Sequence, residues 1–135
     1  MVATTKRPDL VGLLVKSPAY GDDRVYLVDL DGVRRWVPSN DVLHALFRPG
    51  TPIISDIDAI CIAPGDQLST GAHLAQDESD KKVYLVDGVK RWVTSAAAMN
   101  RYSFNYETVD PTKHETLAQL DDGPDIEGPS SEGAV

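Results

Sequence analysis

The sequence VYLVDGVKRWV at residues 83–93 has an earlier counterpart, VYLVDLDGVRRWV, at residues 25–37. Each copy places two apolar runs around an Asp-Gly pair, which is the strongest short-range sequence signal for a β-hairpin. The two copies therefore predict two β-hairpins. The two additional residues of the earlier copy, Leu30 and Asp31, are expected to lie in its turn.

The position of the turn predicts which side chains lie opposite each other. If Asp87 and Gly88 form a two-residue turn, alternate residues of both strands share a face. The predicted cross-strand pairs are Tyr84 with Arg91, Val83 with Trp92, Tyr26 with Arg35 and Val25 with Trp36. Each arginine could then lie over a tyrosine ring, a contact that contributes roughly 0.5–1 kcal/mol at an exposed site. Because both faces are mostly apolar, each hairpin is expected to be covered on both sides.

The similarity extends beyond the hairpins and indicates an internal duplication. The hairpins begin 58 residues apart, at Val25 and Val83, and each is followed by a serine and a helix-forming stretch. Ser39 and Ser95 are the predicted N-caps of these two helices. Such self-similarity predicts one copied unit that stacks on its neighbour, because the unit cannot bury its apolar face alone.

These spacings predict the domain organisation and the fold class. The repeats span residues 9–66 and 67–126 of a single domain at residues 1–126, and residues 127–135 form an acidic disordered tail. The predicted fold is mainly β. Each repeat would be a three-stranded antiparallel meander plus a short helix, and internal pseudo-symmetry would relate the two. Stacked solenoid turns, propeller blades and a small sandwich would all satisfy this pattern.

Together these elements define a repeat unit: VYLV, a turn containing glycine, a basic pair (Lys-Arg or Arg-Arg) and a trailing serine. This unit resembles the tandem repeats of bacterial secreted and surface-associated proteins, and the resemblance covers nearly all of residues 9–126. In those proteins the repeats commonly occur in several copies, often attached to enzymatic or wall-associated domains. The resemblance implies a role at a cell surface and carries no assigned activity.

Charge and hydropathy argue against several classes of partner. The 135-residue chain has a net charge of −8, and residues 121–135 contain five acidic residues and no basic one. The remaining residues have a net charge of −3, so a cationic face for the phosphates of nucleic acid is not expected. No segment approaches the roughly 18 apolar residues of a membrane-spanning helix, and the first residues do not resemble a secretory signal. We therefore expect synthesis in the cytoplasm, no membrane insertion and no nucleic-acid partner.

The sequence contains no catalytic signature, since it lacks a Gly-x-Ser-x-Gly motif, a glycine-rich phosphate loop and a His-Glu-x-x-His pair. Cys61 lies between two isoleucines, which is typical of a buried structural thiol. Paired aspartates could offer oxygen ligands to calcium, but none has the full spacing of a calcium loop. The better interpretation is that these aspartates form turns. These pairs are Asp22 with Asp23, Asp29 with Asp31, Asp56 with Asp58 and Asp121 with Asp122. We predict a protein that is not an enzyme and needs neither metal nor cofactor.

The aromatic and basic residues of the two hairpins form the candidate ligand-binding site. A flat ring beside charged hydrogen-bonding groups can hold a sugar or an extended peptide, and two copies would add avidity. The first hypothesis is therefore a recognition module for glycan or cell-surface polymer. The alternative interpretation places Trp36 and Trp92 in the core between the repeats. The candidate residues are Tyr26, Arg34, Arg35, Trp36, Tyr84, Lys90, Arg91 and Trp92.

A second hypothesis is a structural or assembly protein. Two repeats leave strand edges that a closed ring of several repeats would pair, and open edges favour pairing with further strands. The partner would be another copy of this chain, giving a homo-oligomer, or a larger particle such as a virion, tail or injection apparatus. The protein would then belong to a released particle or a cell-surface assembly.

Overall fold

Both predicted hairpins form in the structure, a computed structural model that describes residues 4–17, 22–55 and 59–128. The strands are β1 (Leu14–Ser17), β2 (Asp22–Asp29), β3 (Val33–Trp36), β4 (Ile53–Ile54), β5 (His73–Asp77), β6 (Val83–Val86), β7 (Lys90–Val93) and β8 (Asp110–Thr112). The helices are α1 (Asn40–Leu46), α2 (Ala96–Arg101) and α3 (His114–Ala118). The hairpins are thus β2–β3 and β6–β7, and a short helix follows each of them, as predicted.

The strands of the described residues form two four-stranded sheets, ordered β3-β2-β1-β4 and β7-β6-β5-β8. In each sheet the first three strands pair antiparallel, whereas β4 and β8 pair parallel to β1 and β5. The described part of the chain is therefore mainly β, as predicted. The predicted three-stranded antiparallel meanders are present as β1-β2-β3 and β5-β6-β7, but each sheet also has a parallel edge strand that the sequence did not predict. These two strands have 2 and 3 residues, too few to show an alternating sequence pattern.

The register of both hairpins differs from the prediction by one residue. The observed pairs are Tyr84 with Trp92, Leu85 with Arg91, Tyr26 with Trp36 and Leu27 with Arg35. Both turns have three residues, at positions 30–32 and 87–89, instead of the four and two that the predicted pairs imply. Gly32 and Gly88 adopt φ of +74° and +78° in these turns, and the changed turn length moves every pair by one position. Tyrosine and tryptophan therefore share one face of each hairpin, and the second residue of each basic pair, Arg35 or Arg91, lies on the other face.

The inner faces of the two sheets share one hydrophobic core. Leu27 and Leu85, the residues opposite the two arginines, are fully buried in it together with side chains of α1 and α2. The rings of Phe47 and Phe104 stack with centroids 5.8 Å apart, where the chain after α1 forms an antiparallel bridge with the chain after α2. The two halves of the chain therefore cover each other's apolar faces.

The two serine caps are confirmed. The Ser39 hydroxyl accepts a hydrogen bond from the backbone N–H of Val42 at 3.3 Å, and Ser95 does the same for Ala98 at 3.1 Å. Each bond satisfies an N–H that has no partner within the helix. Each capping serine lies three residues after a tryptophan, and each helix starts four residues after it, so both helices begin close to that ring in the sequence.

The outer edge of each hairpin is occupied by a later segment of the chain. On β3, Arg34 donates its backbone N–H to Ala63 at 2.9 Å, and Trp36 accepts from Leu68 at 3.0 Å. The equivalent bonds on β7 run from Lys90 to Asp121 at 2.9 Å and from Ile126 to Trp92 at 2.8 Å. These segments use the backbone groups that a further strand would need in order to pair with the hairpins.

Candidate functional site

Arg35 and Arg91, two of the predicted ligand-binding residues, lie on the inner faces in a buried salt-bridge network. Arg91 donates two hydrogen bonds to the Asp29 carboxylate, at 2.7 and 3.2 Å, and Arg35 donates one at 2.9 Å. Arg35 also forms a salt bridge with Asp87. The hairpins thus exchange ion pairs, since Asp29 at the end of β2 binds Arg91 of the second hairpin and Asp87 in the second turn binds Arg35 of the first.

Asp29 is the centre of this network. The residue is 2% exposed and also accepts a hydrogen bond from the Tyr102 hydroxyl at 2.8 Å. Burial alone would raise the pKa of Asp29, but the hydrogen bonds and positive charge of Arg91 and Arg35 outweigh it and hold the pKa at about 2. Burial and the neighbouring carboxylate raise the pKa of Tyr102. The network is charged and joins the two halves through the contacts of Asp29 with Arg91 and Tyr102 and of Arg35 with Asp87.

The outer face of the first hairpin is covered. Tyr26 is 5% exposed and packs in a second, smaller cluster with Ile62 and residues of the N-terminal segment. Arg34 lies over the Tyr26 ring at 4.8 Å and donates its Nε–H to the carbonyl of Ile62 at 2.8 Å. The predicted contact between an arginine and a tyrosine therefore exists, but it involves Arg34, and it is internal.

The outer face of the second hairpin is more open. Tyr84, Lys90 and Trp92 come together there, and all three are partly exposed. They line a concavity of about 280 Å3, which we call the outer depression. Its other lining residues are Lys82, Asp122, Gly123 and Asp125. Three of the eight predicted site residues thus meet on one accessible surface.

The polar groups of the outer depression are held in place. Lys90 Nζ donates to the Leu120 carbonyl and pairs with Asp122, both at 2.8 Å. Lys82 Nζ lies 4.5 Å from the centroid of the Trp92 ring, within the range of a cation–π contact. Partial burial, and then the charge of Asp80, raise the pKa of Tyr84. The Tyr84 hydroxyl therefore stays protonated at neutral pH and can donate a hydrogen bond.

A second concavity of about 290 Å3 lies on the other side of Trp92, and we call it the Tyr106 groove. Trp92, Lys82, Met99 and Tyr106 are among its lining residues. Tyr106 is 53% exposed and escaped the sequence prediction because it belongs to neither hairpin. No periodic or turn pattern in its neighbourhood distinguishes it from an ordinary surface tyrosine.

The first half contains a concavity in the corresponding place. This concavity measures about 290 Å3 and lies beside the start of α1, and its lining residues include Trp36, Arg24, Pro38, Ser39 and Leu43. The Arg24 guanidinium lies 5.1 Å from the centroid of the Trp36 ring. Trp36 and Trp92 are both partly exposed, so the interpretation that places them in the core between the repeats was wrong. Each half therefore presents a tryptophan beside a basic side chain, but the outer depression belongs to the second half.

The other candidate ligand groups form no evident site. In residues 4–17, 22–55 and 59–128, no three acidic, histidine or cysteine side chains converge as metal ligands. The side chains of Asp22 and Asp23, and the pair Asp56 with Asp58, lie outside the described residues. Cys61 is partly exposed, contrary to the prediction, and lies at the end of a 3-10 turn.

Similarity to known proteins gives no evidence on the function of this chain. No protein-family model, no curated protein and no solved structure matches this chain. Within the described part of the chain, no helix is long and apolar enough to cross a membrane.

Proposed function

We propose that this chain is a non-enzymatic recognition module that binds glycan or cell-surface polymer through the outer face of its second hairpin. The observation that carries the proposal is the setting of Trp92. Its ring is partly exposed between two open concavities, with Lys82 over the ring and Tyr84 and Lys90 on the same face. A partly exposed tryptophan between two concavities leaves apolar surface in contact with water, which binding would bury.

The chemistry of this surface suits a sugar. One face of a pyranose ring consists of C–H groups and packs against a flat aromatic ring, while its hydroxyls need donors and acceptors around the edge. Trp92 offers the flat surface once the sugar displaces the exposed Lys82 side chain, whose Nζ lies 4.5 Å from the ring centroid. The Tyr84 hydroxyl can donate, and the carboxylates of Asp122 and Asp125 can accept. Because Lys90 already holds Asp122, part of the polar edge is organised before any ligand arrives.

We attribute the two halves to duplication of one unit, with repeats at residues 9–66 and 67–126. Four observations support this: equal strand order, equivalent registers, equivalent serine caps and the exchanged ion pairs of the two turns. The halves then differ in function. Tyr26 is covered in the first half, whereas Tyr84 remains accessible in the second.

The assembly hypothesis has less support. A component of a virion, tail or injection apparatus would pair through open strand edges, and the outer edges of β3 and β7 are already bonded. The remaining edge strands β4 and β8 are very short. Pro111 in β8 also lacks the N–H that a ladder needs. The recognition proposal uses a surface that is accessible as it stands.

A glycan array followed by a polysaccharide pull-down tests the proposal. Trp92→Ala should weaken binding of any captured glycan by at least about tenfold, because the ring is the central contact. Trp36→Ala is the matched control, since it removes the same side chain from the equivalent strand position and should leave binding close to that of the wild type. Capture of no glycan by the wild-type protein, or equal binding by wild type and Trp92→Ala, would overturn the proposal.

A further inference from the structure

We infer that the outer depression and the Tyr106 groove are consecutive subsites for one extended, uncharged glycan chain that crosses Trp92. This inference rests on the proposed function and adds the length and charge of the ligand. Trp92 and Lys82 line both concavities. The two concavities therefore meet at this pair, and a polymer that leaves one would enter the other.

The size of the concavities favours a chain over a single sugar. They measure about 280 and 290 Å3, each slightly below the roughly 300–1,000 Å3 of ordinary small-molecule sites. Both are open grooves and not enclosed cavities. An open groove does not block either end of its ligand, so it suits an internal segment of a polymer.

Tyr106 is positioned to act as a second ring platform. Arg48 lies over the Tyr106 ring at 5.4 Å. The same guanidinium is fixed by hydrogen bonds to the Phe104 carbonyl at 2.8 Å and to the Asn100 side chain at 2.6 Å. Asn105 caps the turn that carries the tyrosine, through a 2.9 Å bond from the backbone N–H of Glu107. A ring held in this way loses little conformational freedom on binding.

The charges around the path favour an uncharged ligand. The basic residues that line the two concavities are Lys81, Lys82 and Lys90, and the acidic ones are Asp80, Asp122 and Asp125. Three positive and three negative charges leave no net charge along the path. The whole chain has a net charge of −8, which would repel a polyanion at long range. Hydroxyl-rich, uncharged sugars match this mixture of donors and acceptors.

Isothermal titration with uncharged oligosaccharides of increasing length tests the inference. The probes are β-1,4-linked glucose and β-1,4-linked N-acetylglucosamine, each as disaccharide, tetrasaccharide and hexasaccharide, and galacturonate hexasaccharide serves as the charged probe. For at least one uncharged series, affinity should rise by at least about tenfold from disaccharide to hexasaccharide, as a second subsite becomes filled. The galacturonate hexasaccharide should bind more weakly than the hexasaccharide of the uncharged series that shows this gain.

The variant Tyr106→Ala separates this inference from the proposed function. It should abolish the gain with length while leaving disaccharide affinity within about twofold, because only the second subsite is removed. Trp92→Ala should weaken binding at every length. Equal affinity at all lengths, an unchanged gain in Tyr106→Ala, or tighter binding of the galacturonate would overturn the inference and leave the recognition proposal standing. If the wild-type protein binds no oligosaccharide in either series, the inference fails, and failure of the glycan array as well would remove the proposed function.

Discussion

Replacing Asp29 by asparagine should be among the most destabilising conservative substitutions in this chain. Asp29 is 2% exposed, and its carboxylate receives hydrogen bonds from Arg91, Arg35, Tyr102 and the backbone N–H of Leu30. Asparagine keeps the shape of the side chain but removes the negative charge. The guanidinium of Arg91 would then be buried without a counter-ion.

The expected loss follows from what each arginine retains. The Arg91 side chain is 5% exposed, and apart from Asp29 it donates only to the Pro124 carbonyl among the described contacts. Removing one partner of a buried pair costs about 3–5 kcal/mol. Asp87→Asn should cost less, about 1.5–3 kcal/mol, because Arg35 keeps its 2.9 Å salt bridge to Asp29.

Equilibrium unfolding in urea, followed by tryptophan fluorescence, measures both losses. Each half contributes one tryptophan, so a single transition also reports whether the halves unfold together. Asp9→Asn is the control, because it breaks the exposed pair between Arg7 and Asp9 and should leave the midpoint unchanged. The reasoning is refuted if Asp29→Asn costs less than about 1 kcal/mol, or if Asp87→Asn proves the more harmful change.

Three further predictions concern pH, the turns and the exposed rings. The pKa of Asp29 is depressed to about 2, so the stabilisation that its carboxylate provides is complete above about pH 4 and is lost as the pH falls towards 2. The difference in free energy of unfolding between wild type and Asp29→Asn, measured by urea titration, should therefore shrink over that interval. A constant difference would contradict this prediction. Gly32→Ala should destabilise the protein more than Gly88→Ala, because the methyl added at Gly32 would overlap the backbone of the N-terminal segment. At Gly88 no described atom lies within 4 Å, so only the left-handed φ costs free energy, about 1–2 kcal/mol. Equal melting temperatures of the two variants would count against the described contact. Acrylamide should quench the fluorescence of both Trp36→Phe and Trp92→Phe, since the remaining ring is partly exposed in each, and a variant that resists quenching would place its tryptophan in the core.

Local patterns were sufficient to predict the hairpins and the caps. Asp-Gly within alternating apolar residues reverses the chain through local backbone preferences. Ser39 and Ser95 satisfy helix N–H groups only three residues away. Each of these signals depends on interactions among residues that are close in the sequence.

The register and the salt-bridge network could not be predicted in the same way. Turns of two and three residues can share the Asp-Gly pair, and the choice between them decides which face Arg35 and Arg91 occupy. The bond from Arg91 to Asp29 spans 62 residues, so only the packing of the two sheets brings these groups together. Tyr106 is also outside both hairpins, and its place beside Trp92 depends on the fold.

Nuclear magnetic resonance offers the most direct test of the proposed recognition surface. The protein contains two tryptophans, and their indole N–H signals can be assigned with Trp36→Phe and Trp92→Phe. Titration with the hexasaccharide that binds most tightly should shift the Trp92 indole signal and the backbone signals of Lys82, Tyr84 and Tyr106, while the Trp36 signal stays in place. An unchanged Trp92 signal, or shifts confined to the first half of the chain, would contradict the proposal.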